Sequence, residues 1–292
     1  MPPYGFLNLH KPSGMTSRQV VNVVQRLIRR TKVGHAGTLD PLAGGVLVVS
    51  LGPATRLIEY VQRMPKCYTG TFLLGRHSPT EDVEGKVTEL EDPPVPTRER
   101  MIAATKQFTG EIEQRPPIFS ALKVAGRRAY RMARRGEKVE LKPRPVTIRQ
   151  LRVVAYDYPA LTLEIECGSG TYIRSLGRDL AESLGTAAVM SALVRTSIGQ
   201  FPLEEAVYPS RVTRDNWTDL LLPPLRAVES LPRIELSAEE VVEIGHGRNI
   251  SRPGISSETG EFAATDSAGQ LVAILVSRRA GELGPVKNFP RS

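Results

Sequence analysis

The sequence predicts an α+β fold followed by a small β-rich unit at its C-terminal end. Strand-like runs and segments of helical spacing alternate irregularly across residues 4–200, and hydrophobic residues make up 40% of the chain, enough for a folded core. Prolines at 222–225 and 231–232 then precede residues 233–292, where short apolar runs alternate with Gly/Pro turns. A chain of 292 residues is long enough for one large domain and one small one.

The individual elements follow from hydrophobic spacing and capping residues. Residues 4–9 predict a strand. Thr16 or Ser17 is placed to cap a helix, because apolar residues recur at helical spacing from Val20 to Ile28. Further strands are expected at residues 46–50, 68–74, 146–155, 161–167 and 271–276, and further helices at 98–108, at 129–135 and after the glycines at 168–170.

The formal net charge of +8 is concentrated in two segments. Residues 11–34 hold six basic residues and no acidic one, and residues 114–152 hold twelve basic residues against two acidic ones. The rest of the chain therefore carries a net charge of −8. Arginine dominates both segments and suits phosphate contact and base stacking, so the distribution favours a polyanion-binding face. A solvated basic surface is the alternative.

Composition also excludes several classes of protein. No run approaches the ~20 continuous apolar residues of a membrane span, and the N-terminus shows no secretory-signal pattern. Cys67 and Cys167 form no CxxC pair, so the sequence does not support a zinc site, and we expect no metal. Both thiols are expected to be buried in strands of a cytoplasmic protein, where a reducing environment keeps them free.

One carboxylate stands out, because residues 34–43 read GHAGTLDPLA and place Asp40 in a glycine-rich turn ahead of an apolar strand. A lone carboxylate is costly to bury without a partner, and the following proline keeps the Asp40 backbone out of the helical region. A rigid turn that presents one acid at the end of a strand is typical of a reactive site. A polar turn that only caps the strand is the alternative.

A second glycine-rich segment, residues 168–174 with the sequence GSGTYIR, opens a helix with Arg174 in its first turn. Backbone N–H groups at such a turn can bind phosphate. The segment lacks the GxGxxG and Walker spacings, so we expect no nucleotide cofactor.

Five segments together resemble the TruB family of bacterial tRNA pseudouridine synthases, which modify uridine 55 in the T loop of tRNA. They are residues 11–17, the turn around Asp40, and residues 74–85, 114–123 and 170–174, in the family's order across most of residues 4–200. The resemblance implies a pseudouridine synthase fold over residues 1–230, with a large mixed, mainly antiparallel sheet and an RNA-binding insertion at about 114–145. It also implies a small PUA-like RNA-binding domain at 231–292, and a reaction that needs no cofactor.

The resemblance further implies roles for individual residues. Asp40 is the essential carboxylate, which either adds to the sugar or removes a sugar proton to give a glycal, and Arg174 is its ion-pairing partner. Tyr68 stacks on the target base and is the candidate for moving the C5 proton, while Leu193 forms the floor of the pocket. His35 fills the space that the flipped base vacates. The remaining implied RNA contacts are Tyr172, Lys11, Arg127, Arg128, Arg131, Arg134 and Arg135.

The implied partner is the T arm of tRNA, bound by a monomer that needs neither a membrane nor an accessory protein. Three other functions stay open. The pseudouridylase core of a guide-RNA complex shares these motifs, but the short N-terminus and near-neutral tail favour a stand-alone enzyme. A non-catalytic RNA-folding module would also bind tRNA, although Asp40, Tyr68 and Arg174 favour catalysis. A sugar hydrolase normally needs two carboxylates, and acidic residues are sparse around Asp40 in the sequence.

Overall fold

Strands are the main element of the computed structural model, which describes residues 3–28, 30–120, 122–124, 126–133, 135–137, 141–255 and 260–289. The strands are β1 (Gly5–Lys11), β2 (Val33–His35), β3 (Gly44–Leu51), β4 (Lys66–Leu74), β5 (Arg76–His77), β6 (Thr88–Glu89), β7 (Gly110–Gln114), β8 (Lys123–Val124), β9 (Arg127–Arg128), β10 (Arg144–Asp157), β11 (Ala160–Cys167), β12 (Ala188–Ile198), β13 (Phe201–Pro202), β14 (Arg233–Glu235), β15 (Ile250–Ser251), β16 (Glu261–Thr265), β17 (Leu271–Arg279) and β18 (Glu282–Asn288). The helices are α1 (Ser17–Leu27), α2 (Ile58–Arg63), α3 (Arg98–Thr105), α4 (Ala129–Ala133), α5 (Ile173–Ser183) and α6 (Ala238–Gly245).

The larger sheet lies in the N-terminal part of the chain and has the order β1-β3-β12-β4-β11-β10-β7, with β2 added to β3 and β13 added to β12. Its pairings are antiparallel, except that β12 runs parallel to β3. The predicted mixed, mainly antiparallel sheet is therefore confirmed. The central strand β12 was not predicted, because its sequence mixes small, polar and charged residues and shows no simple alternation.

The parallel contact between β3 and β12 brings the Asp40 turn over the middle of the sheet. Gly45 pairs with Arg195, and Arg195 pairs on its other side with Tyr68 of β4. Gly45 has φ +97°, and a Cβ atom there would lie 2.2 Å from the carbonyl oxygen of Arg195. Only glycine permits this approach, so the turn that directly precedes β3 lies beside Tyr68.

Helices α1 and α5 form the walls around the Asp40 turn. Helix α1 begins at Ser17 because the Thr16 side chain accepts a hydrogen bond from Gln19 N, and the Gln19 side chain accepts one from Thr16 N. Helix α5 packs closely on the sheet at Gly177, where a Cβ atom would lie 2.0 Å from the Phe72 ring. This close packing holds the first turn of α5 near the sheet. Within the described residues, no helix is long and apolar enough to cross a membrane.

The C-terminal residues form a separate five-stranded sheet in the order β14-β16-β17-β18-β15, with α6 packed on it. The β-rich character was predicted, whereas α6 was not. This sheet docks on α2 of the larger part: the Tyr60 hydroxyl donates to Glu261 at 2.8 Å, and Lys287 pairs with Glu59 at 2.5 Å. Apolar side chains from both parts also share one core cluster. The docked contacts hold this sheet in a defined position against the larger one.

Candidate active site

The Asp40 turn is held by the segment between β1 and α1. The bonds run from Gly14 N to Pro41 O (2.8 Å), from Ser13 Oγ to Leu42 O (2.8 Å) and from Leu39 N to Ser17 Oγ (2.9 Å). The turn also starts and ends near glycines with positive φ, Gly37 at +91° and Gly45 at +97°. Residues 11–17 and 34–45 therefore act as one structural unit that presents Asp40.

Lys11 also stabilises the unit formed by residues 11–17 and 34–45. Its side chain is fully buried, and its Nζ donates to Pro12 O at 3.1 Å, to Pro41 O at 3.3 Å and to Met15 O. Burial lowers the pKa of Lys11 to about 8, while the charge of Asp40 acts in the opposite direction. The predicted direct contact between Lys11 and RNA does not fit this burial, because the ammonium is surrounded by the carbonyls that it binds. The contacts indicate a role in holding the turn.

The structure brings Asp40 and Arg174 together at the surface of the cleft beside this turn. Arg174 Nε lies 3.0 Å from Asp40 Oδ2, and the two side chains are 6% and 41% exposed respectively. The acid therefore faces solvent, whereas its partner is buried. Asp40 is reachable by a substrate and is oriented by a charge-assisted hydrogen bond from the protein interior.

The Arg174 guanidinium spans two carboxylates instead of gripping Asp40 with two nitrogens. Its Nη1 lies 3.4 Å from Asp82 Oδ2, whose side chain is 4% exposed, and donates to Thr80 O at 2.6 Å. Its Nη2 donates to Phe119 O at 3.2 Å. Each of the three guanidinium nitrogens thus has a partner, and the orientation of Arg174 is fixed from several sides.

Asp82 is fixed in turn by its own loop. Thr80 Oγ1 donates to Asp82 Oδ1 at 2.5 Å, and Glu84 N donates to the same oxygen at 3.1 Å. The preceding residue, Glu81, has a φ of +63°, and its carboxylate accepts a bond from Ser175 Oγ at 2.6 Å. Partial burial and the neighbouring carboxylates Asp82 and Asp40 raise the pKa of Glu84. Two further acids thus lie near Asp40 in space, although they are remote from it in the sequence.

Tyr68 and Leu193 lie on the sheet face beneath the turn. Both are buried, and both belong to the apolar cluster that includes Leu39 and Ala43. Burial raises the pKa of Tyr68, and the positive charge of Arg195 partly offsets this effect. The phenol is therefore protonated at neutral pH. Tyr68 and Leu193 thus place an aromatic and an apolar side chain in the cluster that packs against the Asp40 turn.

Tyr172, directly ahead of α5, is held by both ends of the insertion. The fully buried Gln114 side chain donates to Tyr172 O at 3.0 Å and accepts from Tyr172 N at 2.8 Å. Arg144, which pairs with Gln114 across β10 and β7, places its guanidinium 5.1 Å from the centre of the Tyr172 ring. The base of the insertion is thus in direct contact with the residue two positions before Arg174.

His35 ends β2, five residues before Asp40. Burial lowers its pKa, with further lowering by the charges of Arg195 and Arg18. Its imidazole is therefore neutral at neutral pH. Its Nδ1 is buried and has no hydrogen-bond partner among the described residues.

The arginines predicted to contact phosphate lie in the insertion. Arg127 is exposed and pairs with Glu137 at 2.5 Å, and Arg135 is exposed. Arg134 and the side chains of Arg128 and Arg131 lie outside the described part of the structure. Among the residues that are described, no group of three His, Cys, Asp or Glu side chains is placed to hold a metal ion.

Comparison with known proteins identifies the family. A sequence profile described as "TruB family pseudouridylate synthase (N terminal domain)" matches residues 25–173, and a profile described as "tRNA Pseudouridine synthase II, C terminal" matches residues 231–290. This chain belongs to the TruB family of pseudouridylate synthases. It is therefore an isomerase that makes pseudouridine.

Similar proteins cover the whole chain. A protein named tRNA pseudouridine synthase B from Caulobacter sp. (strain K31) is 39% identical over 98% of this chain and 96% of its own length. One of the same name from Arthrobacter sp. (strain FB24) is 40% identical over 99% of this chain and 97% of its own length. A solved structure titled "Crystal Structure of a Cbf5-Nop10-Gar1 Complex" has a TM-score of 0.74 at 25% identity, covering 99% of this chain and 84% of that one. The pseudouridine synthase fold is thus confirmed for this TruB family member.

Three residues of the site are not among those predicted from the sequence. Asp82 was noted only as part of a motif, and Gln114 only as the start of the insertion. Arg195 was not singled out at all, although an arginine within an otherwise uncharged strand segment, 188–198, was the available signal. The sparse acids that argued against a hydrolase were also misleading, since Asp82 and Glu84 reach Asp40 in space. Family membership, not carboxylate number, excludes that alternative.

Proposed function

We propose that this enzyme converts uridine 55 in the T loop of tRNA to pseudouridine, with Asp40 as the reacting carboxylate. The observation that carries the proposal is the contrast between an Asp40 side chain that is 41% exposed and a buried guanidinium that pairs with it at 3.0 Å. A carboxylate that reacts with ribose must be reachable and must be held in one orientation. Asp40 meets both requirements.

Two routes fit this geometry. In the first, Asp40 adds to C1′ of the ribose as the C1′–N1 bond breaks, the uracil turns, and its C5 attacks C1′ and releases the carboxylate. In the second, Asp40 removes a sugar proton as the base leaves to give a glycal, and the turned uracil then adds through C5 while the sugar proton returns. Both routes need one carboxylate beside the ribose, and in both the C5 proton is lost while N1 of the uracil gains a proton, so the overall change is an isomerisation.

We propose that Tyr68 and Leu193 hold the uracil during this rearrangement. Both side chains belong to the apolar cluster that contains Leu39 and Ala43, on either side of Asp40 in the chain, so a base beside Asp40 would lie close to them. Because burial raises the pKa of Tyr68, its neutral ring is suited to stacking on the base. Removal of the C5 proton by Tyr68 would require its hydroxyl to pass its own proton onward.

Extraction of the uridine from its loop is assigned to His35 and Tyr172. The lowered pKa of His35 keeps its imidazole neutral, and a neutral aromatic ring can stack in the space that the base leaves. Tyr172 lies two residues before Arg174, its backbone is held by Gln114, and its ring is contacted by the Arg144 guanidinium. Both residues would act on RNA and not on the chemical step.

The rest of the tRNA is proposed to bind to the basic insertion, residues 114–145, and to the C-terminal unit, residues 231–292. Arg127, Arg128 and Arg131 would contact phosphates of the T arm, and the affinity would then fall steeply with salt. The docked position of the second sheet against α2 would let both surfaces bind one tRNA. Arg134 and Arg135 would extend the same surface.

We propose that the enzyme acts on tRNA as a monomer, without an accessory protein. The supporting observation is that curated relatives at 39–40% identity are named as tRNA enzymes, whereas the Cbf5 complex is 25% identical. Cys67 and Cys167 are free thiols, which suits the reducing cytoplasm that we propose as its location. Activity of the purified protein alone, eluting at the mass of one chain, would support this; a need for a second protein would contradict it.

The experiment that tests the function is release of tritium from C5-labelled uridine in unmodified tRNA transcripts. The purified protein is given one transcript with uridine at position 55 and a second with cytidine there. Release from the first alone would support the proposal. Release that survives the cytidine change would contradict the assignment of position 55, and tight binding without any release would contradict catalysis and favour an RNA-folding role.

A further inference from the structure

Arg195 of β12 is the largest fully buried side chain in the described structure, at 1% exposure. Its Nε donates to Val46 O at 2.7 Å, and its Nη2 donates to Gly37 O at 3.1 Å. These two carbonyls lie on either side of the Asp40 turn, nine residues apart in the chain. One guanidinium therefore ties together the two ends of the segment that presents Asp40.

The same guanidinium also reaches the base-facing side of the site. Arg195 pairs with Tyr68 across β12 and β4, and its guanidinium interacts with the Tyr68 hydroxyl. Asp40 and Tyr68 come from different parts of the chain, and Arg195 contacts the supporting backbone of one and the side chain of the other. Arg195 is therefore placed to set the distance between these two groups.

The surroundings of Arg195 do not suit a purely stabilising role. Its hydrogen-bond partners among the described residues are two backbone carbonyls, and no carboxylate forms an ion pair with it there. A buried cation without an acidic partner has a large desolvation penalty, and an apolar side chain of similar size often gives a more stable core. A fork of five donors is, however, well suited to fixing several acceptors at once.

We propose that Arg195 is a positioning residue for pseudouridine formation, whose guanidinium sets the placement of the Asp40 turn relative to Tyr68. It does not touch the substrate, because its side chain is buried beneath both groups. The inference rests on the roles proposed above for Asp40 and Tyr68. It adds Arg195 as the residue whose contacts connect the Asp40 turn with Tyr68.

The test is Arg195→Lys, which keeps the charge but replaces the planar fork with one compact ammonium, so the bonds that Nε and Nη2 make to Val46 O and Gly37 O cannot both be reproduced. A small misplacement of reacting groups costs up to about 100-fold in rate, so we expect kcat under single-turnover conditions to fall about 10- to 100-fold. The Kd for tRNA should stay within about threefold, since no RNA contact is lost. Arg195→Gln, which is neutral and retains one donor group, should show the same split between kcat and Kd.

Lys66→Met is the matched control. Lys66 is 6% exposed on the neighbouring strand β4, and its partners are also carbonyls, Met64 O at 2.7 Å and Gln62 O. These carbonyls lie at the end of α2, away from the Asp40 turn. Removing this buried cation should change the melting temperature of the protein but leave kcat within about twofold. Comparison of the Arg195 variants with Lys66→Met therefore distinguishes the effect of removing a buried cation from the effect of misplacing the Asp40 turn relative to Tyr68.

A double variant tests the link to Tyr68. If Arg195 acts partly through the Tyr68 hydroxyl, Arg195→Lys should reduce kcat less in a Tyr68→Phe background than in the wild type. Fully independent effects would overturn that link. A wild-type kcat in the folded Arg195→Lys and Arg195→Gln variants, or a loss no larger than that of Lys66→Met, would overturn the positioning role. An inactive wild-type protein would instead contradict the proposed function.

Discussion

Asp40 lies between two buried arginines that are held in different ways. Arg174, on the wall formed by α5, pairs with the carboxylates of Asp40 and Asp82. Arg195, on the floor formed by β12, donates to two backbone carbonyls, and its charge acts on the neighbouring Tyr68 hydroxyl. Both residues carry a guanidinium group. Arg174 pairs with two carboxylates as well as two carbonyls, whereas the hydrogen-bond partners of Arg195 among the described residues are carbonyls.

This difference separates two tasks that a catalytic carboxylate requires. The wall orients the carboxylate itself, because the ion pair acts directly on Asp40 Oδ2. The floor fixes the turn that carries Asp40 and its distance from Tyr68. Substitutions on the wall should therefore affect the reacting group strongly, whereas substitutions on the floor should give graded losses of rate.

The largest effect among the supporting residues is expected for Arg174→Lys. An ammonium cannot bind Asp40, Asp82 and two carbonyls at once, so the carboxylate loses its fixed orientation. We expect single-turnover kcat to fall by more than about 100-fold, with little change in tRNA affinity. Rates near those of wild type in a rapid-quench assay would contradict the proposal that Arg174 orients the Asp40 carboxylate directly.

Asp82→Asn should have the next largest effect. It leaves the Asp82 side chain in place but removes the charge that holds Nη1 of Arg174. A loosened guanidinium should lower kcat about 10- to 100-fold. Glu84→Gln is the comparison variant, because Glu84 is an acid of the same loop whose charge also acts on Asp40 but which has no ion pair to Arg174 among the described residues; it should stay within about threefold of wild type. Equal losses of kcat in the two variants would show that the negative charge of the loop matters, and not the ion pair between Asp82 and Arg174.

A smaller effect is expected for Gln114→Glu. The carboxylate can still accept from Tyr172 N but can no longer donate to Tyr172 O. We expect kcat to fall about 5- to 20-fold, because the segment before Arg174 loses one of its two bonds and gains a buried charge. Gln114→Met, which removes both bonds without adding charge, distinguishes the two causes. An unchanged kcat in both variants would contradict the connection between the insertion and the wall.

The smallest effect is expected from pH, through Lys11. Burial lowers the pKa of Lys11 from 10.5 to about 8, so above that pH the folded protein has a neutral amine with two donors for three carbonyls. The turn should loosen, and kcat should fall about two- to threefold between pH 7.5 and 9. Between the folded pKa and 10.5 the unfolded chain binds more protons at this group, so its contribution to stability rises with pH.

Rate and stability should therefore move in opposite directions in this pH range. Urea denaturation and single-turnover kinetics at matched pH values measure the two quantities. Lys11→Met should be slower at neutral pH and should lack this decrease in kcat. An alkaline decrease that persists in Lys11→Met would assign the titration to another group.

The wall was more predictable from the sequence than the floor. Asp40 could be identified because a carboxylate in a glycine-rich turn before a proline is rarely a core residue. The position of Arg174 in the first turn of a helix followed from the glycines ahead of it. Family resemblance then supplied the pairing of Asp40 with Arg174, which no local pattern contains.

The floor depends on contacts between distant strands. Arg195 becomes important only because β12 runs parallel to β3 at Gly45 and antiparallel to β4 at Tyr68, and this order was not predicted. The family resemblance implied that Lys11 contacts RNA, but its ammonium is buried and binds backbone carbonyls around the Asp40 turn. The bonds of Gln114 to Tyr172 join residues that are far apart in sequence, so no spacing rule could reveal them.

The most direct test of the account is the single-turnover rate of Asp40→Asn, measured together with its affinity for tRNA. We propose that both arginines serve one reacting carboxylate, and an amide can neither add to the sugar nor remove its proton. We expect no pseudouridine above background, with a Kd within several-fold of wild type. Turnover at the wild-type rate would contradict the central role of Asp40.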